Sequence, residues 1–483
     1  MTQPTQSRSV QSLMDSSGVR FGTSGARGLV IDMTDEVCFA YTSAFLQVTD
    51  AQPGSRVALG MDLRPSSPGI AAACAAAIQQ AGLAVDYCGS LPTPALAYYA
   101  QEQGIPAVVV TGSHIPFDRN GIKFYRDTGE ITKSDEAGIA TAEVGLPEQG
   151  LSTPLPAINP AARQLYLDRY LAFFPHRALA GMRLGFYEHS SVARDLLTEL
   201  LERLGAEVIS LGRTDEFTPI DTEAVSEADV RQAHNWAVEH GFDAILSTDG
   251  DADRPLIGDE QGNWFRGDIV GLLCARHLGV EALATPVSCN TAIEKSGVFK
   301  QVVRTRIGSP YVIEAMQQLA ASGARSIAGF EANGGFLLGS NLNKEGRALN
   351  ALPTRDAVLP MLTLLVSARE SGVKLSQLAA GLPSRHTASD RLQSFASEHS
   401  HRLLQQLASS PSARSGLLGT LCGVPMEMNQ TDGLRITFAN GEVIHLRPSG
   451  NAPELRCYAE ADSQDRAAKL AVECLRRVKA LEG

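Results

Sequence analysis

A chain of 483 residues exceeds the roughly 250–300 residues at which one hydrophobic core stops growing, so about three domains are expected at ~150 residues each. Hydrophobic residues make up 44% and charged residues 20%, which excludes wholesale disorder. With 42 Lys and Arg against 53 Asp and Glu, the net charge is −11 and no basic run stands out, which argues against sequence-independent nucleic-acid binding.

Residues 1–17, rich in Ser, Gln and Thr, read as a loose leader without the basic-then-apolar layout of a secretory signal. The strand pattern Arg56–Gly60 leads through Arg64-Pro-Ser-Ser into a helical Ala/Ile run to Gln80, stopped by Gly82 before the strand Leu83–Tyr87. The same plan returns at Leu184–Tyr187, with His189-Ser-Ser, a helix through Leu204, the stop Gly205 and the strand Glu207–Ser210. A weaker copy starts at Pro286–Cys289 and runs through Ala292 to Ser296. Strands alternating with helices mean βαβ units, so the fold class is α/β: three related α/β domains with mixed, mostly parallel sheets. The stretches 145–160 and 381–390 read as linkers. The tail differs: a helical stretch near His401–Ala408, strands at Gly433–Phe438 and Glu442–Leu446 turned by Ala439-Asn440-Gly441, and a final helix Asp465–Leu481. It reads as a smaller C-terminal α+β domain. The division is 18–155, 156–278, 279–384 and 385–483. No apolar run approaches the ~18 residues of a membrane span. The eight cysteines are scattered with no C-x-x-C pair, which suits free thiols in a reducing compartment, so a cytoplasmic protein is expected.

Four loops carry chemistry. In the first, Val108-Val-Val-Thr-Gly-Ser113-His114, a buried strand runs into a turn that would present the Ser113 hydroxyl where open α/β sheets bind ligands. Gly112 is expected to allow that tight turn, and Lys123 follows within reach of the same cleft. The second is Ser247-Thr-Asp249-Gly-Asp251-Ala-Asp253-Arg254. Carboxylates at alternate positions after a strand surround one point, a nest for a hard divalent cation. An EF-hand would place Glu260 at its twelfth position, but Arg254 replaces the glycine at the sixth and Pro255 follows. Mg²⁺ is therefore expected rather than Ca²⁺, with Arg254 placed to clamp a phosphoryl oxygen. The third loop, Gly329-Phe-Glu331-Ala-Asn333-Gly-Gly335, offers a Glu and an Asn suited to paired sugar hydroxyls. The fourth, His445-Leu-Arg447-Pro-Ser449-Gly450-Asn451-Ala-Pro453, combines an Arg, a Ser and successive backbone N–H groups into an anion cradle. A simple phosphatase would need no second phosphate site.

From Phe21-Gly-Thr-Ser-Gly-Ala-Arg27-Gly to Arg447-Pro-Ser-Gly-Asn-Ala-Pro-Glu-Leu-Arg456, the chain resembles the α-D-phosphohexomutase superfamily of phosphomannomutases, phosphoglucomutases and phosphoglucosamine mutases. The resemblance implies three α/β domains and a smaller fourth around a central cleft. It implies Ser113 as a phosphoserine and a metal ligand, with Mg²⁺ held by Asp249, Asp251 and Asp253. Arg27, Lys123, His114 and Arg254 would serve the reaction centre, Lys123 as the general acid/base. Glu331, Asn333 and the loop Thr305–Ser309, with Thr305 and Gly308, would contact the sugar. Arg447, Ser449, Gly450, Asn451 and Arg456 would hold the non-reacting phosphate. The implied activity interconverts a hexose 1-phosphate and a hexose 6-phosphate through a hexose 1,6-bisphosphate, with mannose favoured over glucose and the fourth domain closing over the cleft. The partner is a small phosphosugar, with no nucleic acid and no membrane; monomer and dimer both stay open. A serine-dependent phosphatase and a silent sugar-phosphate sensor are the competing classes. Three departures from the family's usual motifs stand out: Ile115 for Asn after Ser-His, Gly335 for the His of the sugar loop, and Asn451-Ala452 for Thr-Glu in the fourth loop.

Overall fold

Two crossovers build the first sheet. The strand Arg56–Met61 pairs in parallel with Ala84–Ser90 and with Ala107–Val110, and the helices Ser67–Gln80 and Thr93–Gln103 make the connections. Beyond Ala107–Val110 the direction reverses: Arg119–Arg126 lies antiparallel to it, and Ala26–Leu29 lies antiparallel to Arg119–Arg126. Six alanine and cysteine positions of the Ser67–Gln80 helix are buried without bulk, and this lets the helix lie close against Asp35–Val48 over the core. The second sheet repeats the plan in the order Glu207–Leu211, Arg183–Tyr187, Ala244–Thr248, Pro255–Gly258, with only the last strand antiparallel. The sheets are thus mixed, each a parallel βαβ half extended by antiparallel strands.

The computed structural model describes residues 5–22, 25–52, 54–449 and 453–481. The chain forms two compact units, Met1–Val280 with Gly308–Leu378, and Glu281–Ile307 with Ala379–Gly483. In the first unit, Ile327–Phe330, Phe336–Leu338 and Leu352–Asp356 follow one another as antiparallel neighbours. In the second, Ala282–Pro286 and Gln301–Thr305 pair in parallel. Here the expected copy starting at Pro286 is shifted, because Pro286 ends its strand and the helix after it is the short Ala292–Lys295. The second unit also holds an antiparallel sheet in the order His386–Leu392, Leu455–Ala461, Val443–Pro448, Leu434–Phe438, Pro425–Asn429. The helices Ser397–Ser409, Pro411–Cys422 and Gln464–Lys479 cover it around a core that includes Leu404, Leu407, Leu418 and Leu470. The hairpin at Ala439-Asn440-Gly441 is present, with Thr437 opposite Val443 and Gly441 at φ 81°.

Three expectations are corrected. The leader is ordered from Thr5: Thr5–Ser9 pairs antiparallel with Glu143–Pro147, and Val10–Ser17 is a helix capped by the Ser9 hydroxyl, with Val10 and Leu13 buried. The same pairing makes the start of the 145–160 linker a strand. The 381–390 linker gives way at His386 to an edge strand paired with Leu455–Ala461; its polar residues other than the buried Thr387 are exposed, and this hides the strand in the composition.

Candidate functional site

Each of three loops leaves the carboxyl end of a strand and returns antiparallel to it, and all three fall in the first unit. Ser113 follows Ala107–Val110, Asp249 follows Ala244–Thr248, and Glu331 follows Ile327–Phe330. Ligands of α/β sheets bind at such strand ends.

The Ser113 loop is held by a residue the sequence did not single out. Arg64, 1% exposed, donates from Nη1 to the carbonyls of Pro116 (2.7 Å) and Arg119 (2.9 Å), and from Nη2 to those of Ser113 (3.0 Å) and Ile115 (2.5 Å). Its Nε donates to Asp62 at 3.2 Å, and the ring of Phe217 stacks on the guanidinium at 3.9 Å. This also changes the role expected of Gly112. The left-handed residue of the turn is Ser113 itself, at φ 55°. A Cβ on Gly112 would stand 2.5 Å from Arg64 Cζ, so that glycine is required for space. The strain of a left-handed serine is offset by these bonds and by Ser113 N donating to Thr111 Oγ1 at 2.8 Å.

Ser113 Oγ, fully buried, donates to Asp249 Oδ2 at 2.6 Å. Asp249, Asp251 and Asp253 are all buried and offer oxygens within 4.8 Å of one another. Lys123 Nζ donates to Asp251 Oδ2 and Asp253 Oδ2, each at 2.6 Å, and Thr93 Oγ1 donates to Asp251 Oδ2 at 2.6 Å. Burial, with the charges of Asp251 and Asp253 beside it, pushes Asp249 well above the usual carboxylate range. For Asp253 burial acts in the same direction, but Arg355, Lys123 and Arg254 outweigh it and hold the group below that range. These residues fit a hard divalent cation. Asp251 Oδ1 and Asp253 Oδ1 are buried with no hydrogen-bond partner among the described residues, and three gathered carboxylates are the oxygen donors such an ion takes.

Arginines surround the triad. Arg254 lies 3.5 Å from Asp253 Oδ1 through Nε and donates from Nη1 to His114 Nδ1 at 2.8 Å. That positive charge, then burial, pushes His114 down to about 2, so the imidazole is neutral and the Nδ1 lone pair is engaged. Arg27, on Ala26–Leu29 opposite Gly121 and two residues from Lys123 along the neighbouring strand, is lowered to about 10 by burial and by Arg254 and Arg355, and stays charged at neutral pH.

In the third loop, Glu331 is 5% exposed and accepts from Arg355 Nη1 at 3.2 Å. Asn333 spends its side-chain oxygen inside the loop, accepting from Gly335 N at 2.9 Å, and its carbonyl accepts from Thr222 Oγ1 at 2.8 Å. Gly308 (φ 130°) precedes the helix Ser309–Ala321 in the first unit.

The second unit carries the anion-cradle residues. Arg447 Nε donates to Asp432 Oδ2 at 2.8 Å, and the same oxygen accepts from Ile307 N at 2.9 Å, so Asp432, absent from the sequence reading, ties Arg447 to the 305–307 loop. Thr305 ends its strand and bonds locally, Oγ1 to the Arg306 carbonyl at 2.7 Å. Ser449 N donates to Glu454 O at 2.8 Å, and Arg456 lies 3.7 Å from the Glu454 carboxylate. Gly450 and Asn451 lie outside the described residues.

Comparison with known proteins agrees with this architecture. Four domain families match in order: phosphoglucomutase/phosphomannomutase alpha/beta/alpha domain I over residues 18–143, domain II over 164–262, domain III over 266–386, and the C-terminal domain over 402–477. The chain belongs to the phosphoglucomutase/phosphomannomutase family, within the α-D-phosphohexomutase superfamily. It is 50% identical over 472 residues to a phosphomannomutase of Salmonella muenchen, covering 98% of both chains. It is 45% identical over 468 residues to a phosphomannomutase of Sinorhizobium fredii, covering 95% of this chain and 98% of the other. A phosphoglucosamine mutase of Desulforamulus reducens is 31% identical over 379 residues, 74% of this chain and 81% of that one. Among solved structures, a phosphoglucomutase/phosphomannomutase family protein of Burkholderia thailandensis superposes with a TM-score of 0.74 at 20% identity, over 95% of this chain and 97% of that one. Parafusin of Paramecium does so at 0.69 and 14%, over 99% and 96%. At such identities the structural likeness is one of fold.

Proposed function

We propose that this protein is a phosphomannomutase that interconverts mannose 1-phosphate and mannose 6-phosphate through phospho-Ser113 and a hexose 1,6-bisphosphate. Relatives of that name at 50% and 45% identity over nearly the whole chain support the sugar. The observation that carries the chemistry is the buried Ser113 hydroxyl, 2.6 Å from Asp249 in a triad of aspartates.

Asp249, Asp251, Asp253 and Ser113 would hold Mg²⁺, which when bound supplies positive charge against the oxygens of the transferring phosphoryl group. Arg254 and Arg27 add fixed charge at the same place, and the neutral His114 orients Arg254 by accepting from it. When Ser113 takes a phosphoryl group, its hydroxyl proton leaves toward Asp249 Oδ2, to which it is already bonded. Lys123 bridges Asp251 and Asp253 and is the proposed acid/base toward the sugar hydroxyl. Glu331, Asn333, Thr305 and Gly308 are proposed sugar contacts. In the second unit the planar fork of Arg447, anchored by Asp432, suits a phosphate, and Ser449, Gly450, Asn451 and Arg456 are proposed to bind the same group. The division at 155, 278 and 384 is proposed to separate these four tasks. A cytoplasmic location fits the free, buried state of all eight cysteines.

The test is covalent. After incubation with glucose 1,6-bisphosphate and Mg²⁺, peptide mass spectrometry should find a phosphoryl group on Ser113 and on no other residue. Phosphate on another side chain, or full turnover with Ser113 unmodified, would overturn the assignment.

A further inference from the structure

Arg355 is the last residue but one of the strand Leu352–Asp356 and is 1% exposed. Its Nε and Nη2 donate to Asp253 Oδ2 at 3.1 and 3.0 Å, and Lys123 donates to the same oxygen at 2.6 Å. Its Nη1 donates to Glu331 Oε2 at 3.2 Å and to Ser309 Oγ at 3.0 Å. Three donors on one oxygen fix the rotation of the Asp253 carboxylate, and its other oxygen, Oδ1, has no hydrogen-bond partner among the described residues. Asp251 is divided in the same way: Oδ2 accepts from Thr93 and Lys123, and Oδ1 has no partner. A second observation comes from Gly335. A Cβ there would lie 2.7 Å from both Cγ and Cδ of Arg355, and the backbone at Gly335 is not left-handed, so position 335 is a glycine to make room for the Arg355 stem.

We propose that Arg355 is a positioning residue: it aims Asp253 Oδ1 at the metal and, through the same guanidinium, ties that carboxylate to Glu331 of the sugar loop. The inference rests on reading Asp249, Asp251 and Asp253 as cation ligands. Groups that orient a metal ligand typically change metal affinity about 10–100-fold when removed. A lysine, with one point charge in place of a planar fork, cannot serve Asp253 and Glu331 together.

The test is Mn²⁺ binding to the full-length, sugar-free protein, read from the electron paramagnetic resonance signal of the free ion, with circular dichroism to confirm folding. Arg355→Gln should weaken Mn²⁺ binding about 10–100-fold, and Arg355→Lys should recover part of the loss. Gly335→Ala, which keeps every charge but displaces the arginine stem, should weaken binding too. The double variant should be no weaker than Arg355→Gln alone, because both substitutions disturb one contact. If Arg355→Gln does not fold, Gly335→Ala and Arg355→Lys decide the matter by themselves. Wild-type Mn²⁺ affinity in folded Arg355→Lys and Gly335→Ala would overturn the proposal. A wild-type protein that binds no Mn²⁺ would instead overturn the reading of the acidic loop beneath it.

Discussion

Ser113 sits in a left-handed backbone conformation, fully buried and bonded to Asp249, and a surface serine shares none of these features. Ser113→Ala removes the oxygen proposed to carry the phosphoryl group, so turnover of mannose 1-phosphate should fall to background in a coupled assay while the protein stays folded. Arg64→Lys tests how that serine is held. One ammonium cannot replace a fork that captures four carbonyls. A misplacement of about 1 Å at a reacting group costs roughly 100-fold, so kcat should fall by about that factor with KM changed far less; a kcat within a few-fold of wild type would show that the loop holds itself. Asp251→Asn should raise the Mg²⁺ concentration for half-maximal activity at least tenfold, the scale on which ligand-shell changes act.

At the scale of elements, what was legible in the sequence was what is local. Asp249, Asp251 and Asp253 lie in one turn after an apolar strand, so their spacing alone gathers them. Arg64 and Arg355 act on partners 49 to 55 and 24 to 102 positions away, and nothing near them in sequence marks those partners. Asp432 is hidden for the same reason, since it only becomes a link once Ile307 and Arg447 are brought to it. The edge strand His386–Leu392 and the N-terminal pair Thr5–Ser9 and Val10–Ser17 are polar by composition, and a few buried positions decide their structure. Removing residues 1–17 deletes a strand partner and the buried Val10 and Leu13. At about 1.5–3 kcal/mol for each such side chain, thermal unfolding should shift down by several degrees with the Ser113 site intact. In the second unit, Leu407, 1% exposed on Ser397–Ser409, should cost about 2–5 kcal/mol when replaced by alanine.

Across the whole molecule, one plan is used repeatedly: a strand end, a loop with one chemical task, an antiparallel return. Ser113, the three carboxylates and Glu331 all lie on such loops in the first unit; Lys123 bonds Asp251 and Asp253, Arg355 joins Asp253 to Glu331, and Arg64 holds the Ser113 loop. Among the described residues no helix is long and apolar enough to cross a membrane. The most direct measurement is ³¹P NMR of the purified protein with mannose 1-phosphate, Mg²⁺ and a trace of glucose 1,6-bisphosphate. The expected result is loss of the 1-phosphate resonance and growth of the 6-phosphate resonance without release of inorganic phosphate. Inorganic phosphate as the main product, or no conversion at saturating Mg²⁺, would contradict a phosphomannomutase.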